Sequence, residues 1–98
     1  MPKAEFSRLA LADLKAISRY TTQKWSADQA FRYIAEIQKC VEQIADSPLI
    51  GRAYDAIRPD RRCIEQGRHV IFYRQRGKAI VVSRVLHQRM LPKRHLIE

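Results

Sequence analysis

Histidines and arginines supply most of the chemistry this 98-residue chain could perform, and they concentrate in its last third. His87 can serve as a general acid or base, because an imidazole titrates near neutrality. Arg84 and Arg89 flank it with guanidiniums able to stabilise an anionic phosphate. Such a set suits cleavage of a phosphodiester, which needs an attacking hydroxyl deprotonated, a leaving oxygen protonated and the charge between them stabilised. The plainer reading of His87 is a structural or surface histidine. No carboxylate occurs between Glu65 and Glu98, so this region presents positive charge to an acidic or nucleic-acid-bound target. His69 is expected to hydrogen-bond across a sheet. No His/Cys spacing suits zinc, so neither a metal nor a cofactor is expected.

The elements that carry these residues are legible from apolar periodicity. Gly67–Arg74 and Ile80–Met90 hold β-type runs separated by Arg76, Gly77 and Lys78, a hairpin with a three-residue turn. Within the first run His69, Ile71 and Tyr73 share one face and Val70, Phe72 and Arg74 the other. Both faces are largely apolar, so this is expected to be a central strand covered on each side. Strands are predicted at Arg61–Glu65, Arg68–Gln75 and Ala79–Leu86, and a short one at Lys3–Leu9.

Helices fill the stretch between. Leu14, Ile17, Thr21 and Trp25 recur at three- and four-residue steps, predicting an amphipathic helix from Ala10 to Trp25. Ser26 and Gln29 form a capping box for a second helix, whose stripe is Ala30, Ile34, Ile37, Val41 and Ile44. Ser47-Pro48 ends it. Two helices with almost no loop between them must form an antiparallel hairpin. Residues 49–60 read as a surface loop. The order β-α-α-β-β-β predicts one α+β domain over residues 1–98, with the helical hairpin on a mainly antiparallel sheet.

Charge is distributed unevenly. The net charge is +9; residues 1–50 hold seven Lys/Arg against six Asp/Glu, and residues 51–98 hold twelve against four. A dedicated basic face follows. Cys40 and Cys63 are expected to be buried thiols in a reducing compartment. No run approaches a membrane span and no signal-peptide core precedes the domain, so the cytoplasm is the expected location.

The order of elements, with the phrases Leu9-Ala-Leu-Ala-Asp-Leu14, Ala45-Asp-Ser-Pro-Leu-Ile-Gly-Arg52, Gly67-Arg-His-Val-Ile-Phe-Tyr-Arg74 and Arg84-Val-Leu-His-Gln-Arg-Met90, resembles the ParE branch of the RelE/ParE toxin superfamily. The likeness runs from Phe6 to Leu96. It implies the toxin half of a bacterial toxin–antitoxin pair, with two mechanisms possible on one fold. ParE-like members inhibit DNA gyrase and are restrained by a ParD-type antitoxin. RelE-like members cleave messenger RNA at the ribosome. A third possibility is an inactive member that only binds its antitoxin, operator DNA being touched through the antitoxin alone.

For a nuclease, the resemblance places His87 and Arg68 (or His69) near family positions, with Arg84 as the candidate phosphate stabiliser. Such relatives also carry a glutamate base or a lysine cluster before the hairpin, whereas residues 51–62 offer neither lysine nor glutamate. The phrase Arg84-x-x-His87-x-Arg89-Met90 is the ParE-type ending. The resemblance therefore favours a non-catalytic inhibitor whose target-binding residues are Arg84, His87, Arg89, Met90, Lys93 and Arg94; no small-molecule substrate is implied. An acidic antitoxin segment is expected over the helical hairpin and basic sheet. Its apolar side chains would enter near Trp25, Tyr33 and Ile37 if these are exposed, and its charges would meet Arg58, Arg61 and Arg74. From its place in the first helix's pattern alone Trp25 is expected to fill the helix–sheet core, the antitoxin groove being its alternative, and the arginines alternatively form a solvated rim.

Overall fold

The computed structural model describes residues 3–53 and 60–90. Strand β1 (Lys3–Phe6) leads into helices α1 (Arg8–Lys24) and α2 (Ala27–Asp46), followed by β2 (Arg52–Ala53), β3 (Arg61–Gln66), β4 (His69–Arg76), β5 (Ala79–His87) and a 3-10 turn at Gln88–Met90. The sheet order is β1-β5-β4-β3-β2, with β1 parallel to β5 and every other pair antiparallel. This is the α+β arrangement expected from the order of apolar patterns.

Serines set the helix starts. Ser7 ends β1 earlier than the predicted Leu9, because its Oγ accepts from the Ala10 amide at 3.0 Å and begins α1 at Arg8. The same Oγ donates to the Ser83 carbonyl at 2.8 Å, tying the cap to β5. Ser26 caps α2 as its spacing predicts, accepting from the Gln29 amide at 3.0 Å. From α2, Ala30, Ile37, Cys40, Val41, Ile44 and Ala45 are buried. All of these but Ala30 meet Ile71, Tyr73, Ile80, Val82 and Val85 on one sheet face.

Strand β4 lies at the centre of the described sheet, and Val70, Ile71, Phe72 and Tyr73 are all buried, as its two apolar faces require. Phe72 and Val70 join Cys63 and Leu86 in a second cluster on the face away from the helices. Cys40 and Cys63 are both buried free thiols, and they belong to the two different clusters.

The β4–β5 turn is tighter than predicted. Arg76 pairs with Ala79, leaving the two residues Gly77 and Lys78, with Gly77 at φ +62°. A two-residue turn opening on a left-handed glycine matches the right-handed twist of the strands. Ser83 is an extra residue in β5, since Arg84 faces Phe72 while Val82 faces Tyr73. This bulge turns the outer edge of β5 towards α1. Strand β2 falls in the stretch read as loop. Its two residues pair with Cys63 and Arg62, a run too short for any alternation to reveal.

Candidate functional site

The histidines meet at the end of the sheet where β4 begins and β5 finishes. His69 and His87 are directly opposite residues, with ring centroids 5.2 Å apart and planes at 83°. His69 bonds to a helix as well as lying against its cross-strand neighbour: Tyr33 Oη on α2 lies 2.6 Å from its Nδ1. The same hydroxyl donates to the Gln66 carbonyl at 3.2 Å and accepts from the Arg68 amide at 3.1 Å. Tyr33 therefore clamps the β3–β4 turn. Gly67, at φ +61°, leaves room for it, since a Cβ there would lie 2.8 Å from the tyrosine ring. Burial, reinforced by repulsion from His87 and partly offset by Asp13, holds the His69 imidazole down at about 4. The Tyr33 phenol is raised, chiefly by burial.

Arg84 is occupied. Its Nε and Nη2 donate to the two carboxylate oxygens of Asp13 on α1 at 2.8 and 2.9 Å, and the Val85 amide donates to the same carboxylate at 2.9 Å. The two side chains are only 18% and 14% exposed. The Ser83 bulge turns Val85 N–H towards α1, and Asp13 satisfies it where β1 no longer runs alongside. This arrangement makes Arg84 a staple between helix and sheet. Among the described residues, no three His, Cys, Asp or Glu side chains converge as a metal site would require.

The helical hairpin carries a second feature. An open groove of about 520 Å³ runs between α1 and α2, lined by Leu11, Leu14, Ala30, Phe31 and Ile34, with Lys15 and Gln38 alongside. Phe31 is 77% exposed, and Leu11 and Tyr20 are also exposed. Trp25 does not fill the core: it is the C-cap residue of α1 and 69% exposed. Its place at the end of the α1 periodicity suggested burial, but the helix stops at Lys24 and the ring projects from the cap. Ile37 departs the other way. It is fully buried in the main core and offers no surface to a partner, whereas Phe31 and Ile34 line the open groove. Tyr33 is half-buried and engaged with His69.

Other arginines are spread over the sheet. Arg61 and Arg74 are directly opposite on β3 and β4. Arg62 donates to the Gly51 carbonyl at 2.7 Å, while Arg68 and Arg89 are exposed. Arg58, Lys93, Arg94 and the side chain of Met90 lie outside the described residues.

The phrases Asp13, Phe31 and Ser83 carried little sequence signal. Asp13 is a lone acid in an apolar run, and Phe31 is a large aromatic off the buried stripe of α2. Each departs from the apolar pattern around it: Phe31 is exposed and Asp13 is paired with Arg84.

Residues 4–92 match the family model of the ParE toxin of type II toxin–antitoxin systems, parDE. The chain belongs to the ParE toxin family. It is 44% identical over 91 residues to Toxin ParE1 of Mycobacterium tuberculosis, covering 92% of this chain and 93% of that one. It is 40% identical over 96 residues to Toxin ParE1 of Caulobacter vibrioides, covering 98% and 99%. The chromosomal ParDE toxin–antitoxin system of P. aeruginosa contains a chain of the same fold, with a TM-score of 0.75 at 22% identity, covering 89% of this chain and 96% of that one. As a ParE toxin, the protein is the toxin component of a type II toxin–antitoxin pair. Among the described residues no helix is long and apolar enough to cross a membrane.

Proposed function

We propose that this ParE toxin inhibits DNA gyrase by binding it in the cytoplasm, and that a ParD-type antitoxin neutralises it. The observation that carries the non-catalytic reading is the bidentate Arg84–Asp13 pair. A guanidinium committed to a carboxylate at under a fifth exposure is poorly placed to stabilise a phosphate that develops charge elsewhere. The target would be met instead by His87 and Arg89 at the end of the sheet, together with Met90, Lys93 and Arg94, which follow them in sequence. Arg84 contributes by holding β5 in place.

The groove between α1 and α2 supports the antitoxin half of the proposal. Phe31 and Leu11 on its lining leave apolar area in water, and Trp25 lies at the same hairpin's tip. A contiguous exposed apolar strip is the mark of a protein partner. An acidic, amphipathic antitoxin segment would cover that strip and continue to Arg61, Arg74 and Arg58. Operator DNA would be reached through the antitoxin.

One observation favours a second reading, ribosome-dependent cleavage of messenger RNA. His87 is in ring contact with His69, itself bonded to Tyr33, and Arg68 adjoins the group. Induction of the toxin in cells separates the two. Gyrase poisoning should give filamentation and DNA breaks within minutes while messengers remain intact. Early cuts at codon ends, with DNA unbroken, would transfer the assignment to the nuclease. Normal growth despite folded protein would mark an inactive member.

A further inference from the structure

At the end of the sheet one hydrogen bond fixes where the neutral His87 ring holds its proton. Tyr33 Oη accepts from the Arg68 amide and lies 2.6 Å from His69 Nδ1, the donor of that bond depending on the His69 tautomer. The Arg89 amide donates to His87 Nδ1 at 3.1 Å, so the neutral ring keeps its proton on Nε2. That bond spans two residues and braces the start of the 3-10 turn Gln88–Met90, the last described element of the chain, whose Gln88 amide also donates to the Arg68 carbonyl at 3.0 Å.

We propose that His87 is a proton-operated latch on the turn Gln88–Met90. When the ring is neutral, Nδ1 holds the Arg89 amide and the turn is closed. A second proton on His87 can enter only at Nδ1, because Nε2 already carries one. The acceptor then becomes a donor facing another N–H, and the bond is lost. The turn opens just ahead of residues 91–98.

The surroundings make this a one-proton device. His69 resists protonation because it is buried, and a charge on either ring opposes a charge on the other. From α1, Asp13 faces the pair but is engaged by Arg84 and the Val85 amide. From α2 come Tyr33 and the influence of Glu36 on it; from the β3–β4 turn comes Arg68, and from the 3-10 turn Arg89. The nearby cations discourage a second charge. The proposal stands whether the target is gyrase or ribosome, since it concerns only the geometry at the root of the C-terminal segment.

The test is an NMR titration of the isotope-labelled full chain between about pH 8 and pH 5. It reads the His87 ring signals and the protection of the Arg89 amide, corrected for intrinsic exchange. Protection should fall about two- to tenfold, the scale of one net hydrogen bond, with the same midpoint as the His87 ring. His87→Asn should keep protection flat, because an asparagine side chain can accept from the amide two residues on without titrating. His87→Ala should lack protection at every pH. Protection of Arg89 that stays constant while the wild-type ring titrates would overturn the latch, as would an unchanged fall in His87→Asn. If the Asn variant fails to fold, coincidence of the two wild-type midpoints decides alone.

Discussion

Asp13 and Arg84, seventy-one positions apart, form a two-pronged ion pair that also satisfies the backbone of Val85. The pair exists because Ser83 bulges out of β5 and exposes that edge just where β1 has ended. Removing the carboxylate takes a partner from a guanidinium only 18% exposed and from the Val85 amide together. Asp13→Ala should therefore cost about 2–4 kcal/mol in urea denaturation, nearer the buried-pair range than the surface one. Arg84→Lys keeps the charge but loses the fork and should fall between the wild type and Asp13→Ala. A loss under about 0.5 kcal/mol for Asp13→Ala would show the staple to be ornamental.

Tyr73 gives a second, deeper tie. Its hydroxyl donates to the Pro48 carbonyl at 2.6 Å and accepts from the Gly51 amide at 2.9 Å. Tyr73→Phe should cost about 1–3 kcal/mol, the desolvation cost of the two groups left behind. Gly51→Ala should cost as much or more, because its Cβ would lie 2.5 Å from that hydroxyl. Thermal melting of both variants checks this; an unshifted midpoint for Gly51→Ala would mean the loop simply yields.

The elements were legible wherever local chemistry decided them. Ser26-x-x-Gln29, Ser47-Pro48 and the alternation of β4 each act over a few residues, and each placed its element to within a residue or two. What stayed hidden depended on distant pairing. Strand β2 exists only because Cys63 and Arg62 lie beside it. The meeting of His69 with His87 needed the strand register, which a three-residue turn would have shifted. Trp25 and Ile37 continued apolar stripes equally well, yet one projects from a helix end while the other faces the sheet. Periodicity names a face; it does not say where the helix stops.

Stability should depend on acid through His69. The unfolded ring titrates at its ordinary 6.5 and the folded ring at about 4, so the folded state binds fewer protons between those values. The contribution is complete above 6.5 and is lost progressively as pH falls towards 4. Urea midpoints of the wild type and His69→Gln, compared at pH 7.5 and pH 4.5, isolate it. The variant should lose less stability on acidification than the wild type; equal losses would remove His69 from the explanation.

Groove and core residues should separate cleanly. Phe31→Asp should leave folding nearly unchanged, since that ring is 77% exposed, while weakening capture of the antitoxin at least tenfold in a pull-down or titration. Ile37→Ala should do the reverse, costing about 2–5 kcal/mol of stability through a cavity in the main core. Full antitoxin affinity in a folded Phe31→Asp protein would move the interface off the hairpin.

Gyrase inhibition without nucleic-acid cleavage is the central claim, and one paired measurement addresses it. Purified toxin is added to a gyrase supercoiling reaction and, in parallel, to translating ribosomes with a defined messenger. Supercoiling should stop, linear DNA from trapped cleavage complexes should accumulate, and the messenger should remain full length. Charge reversal at Arg89 and Arg94 should abolish the inhibition, and antitoxin added in equal amount should reverse it. Unimpeded supercoiling together with cuts in the ribosome-bound messenger, lost in His87→Ala, would contradict the claim and make this chain an enzyme.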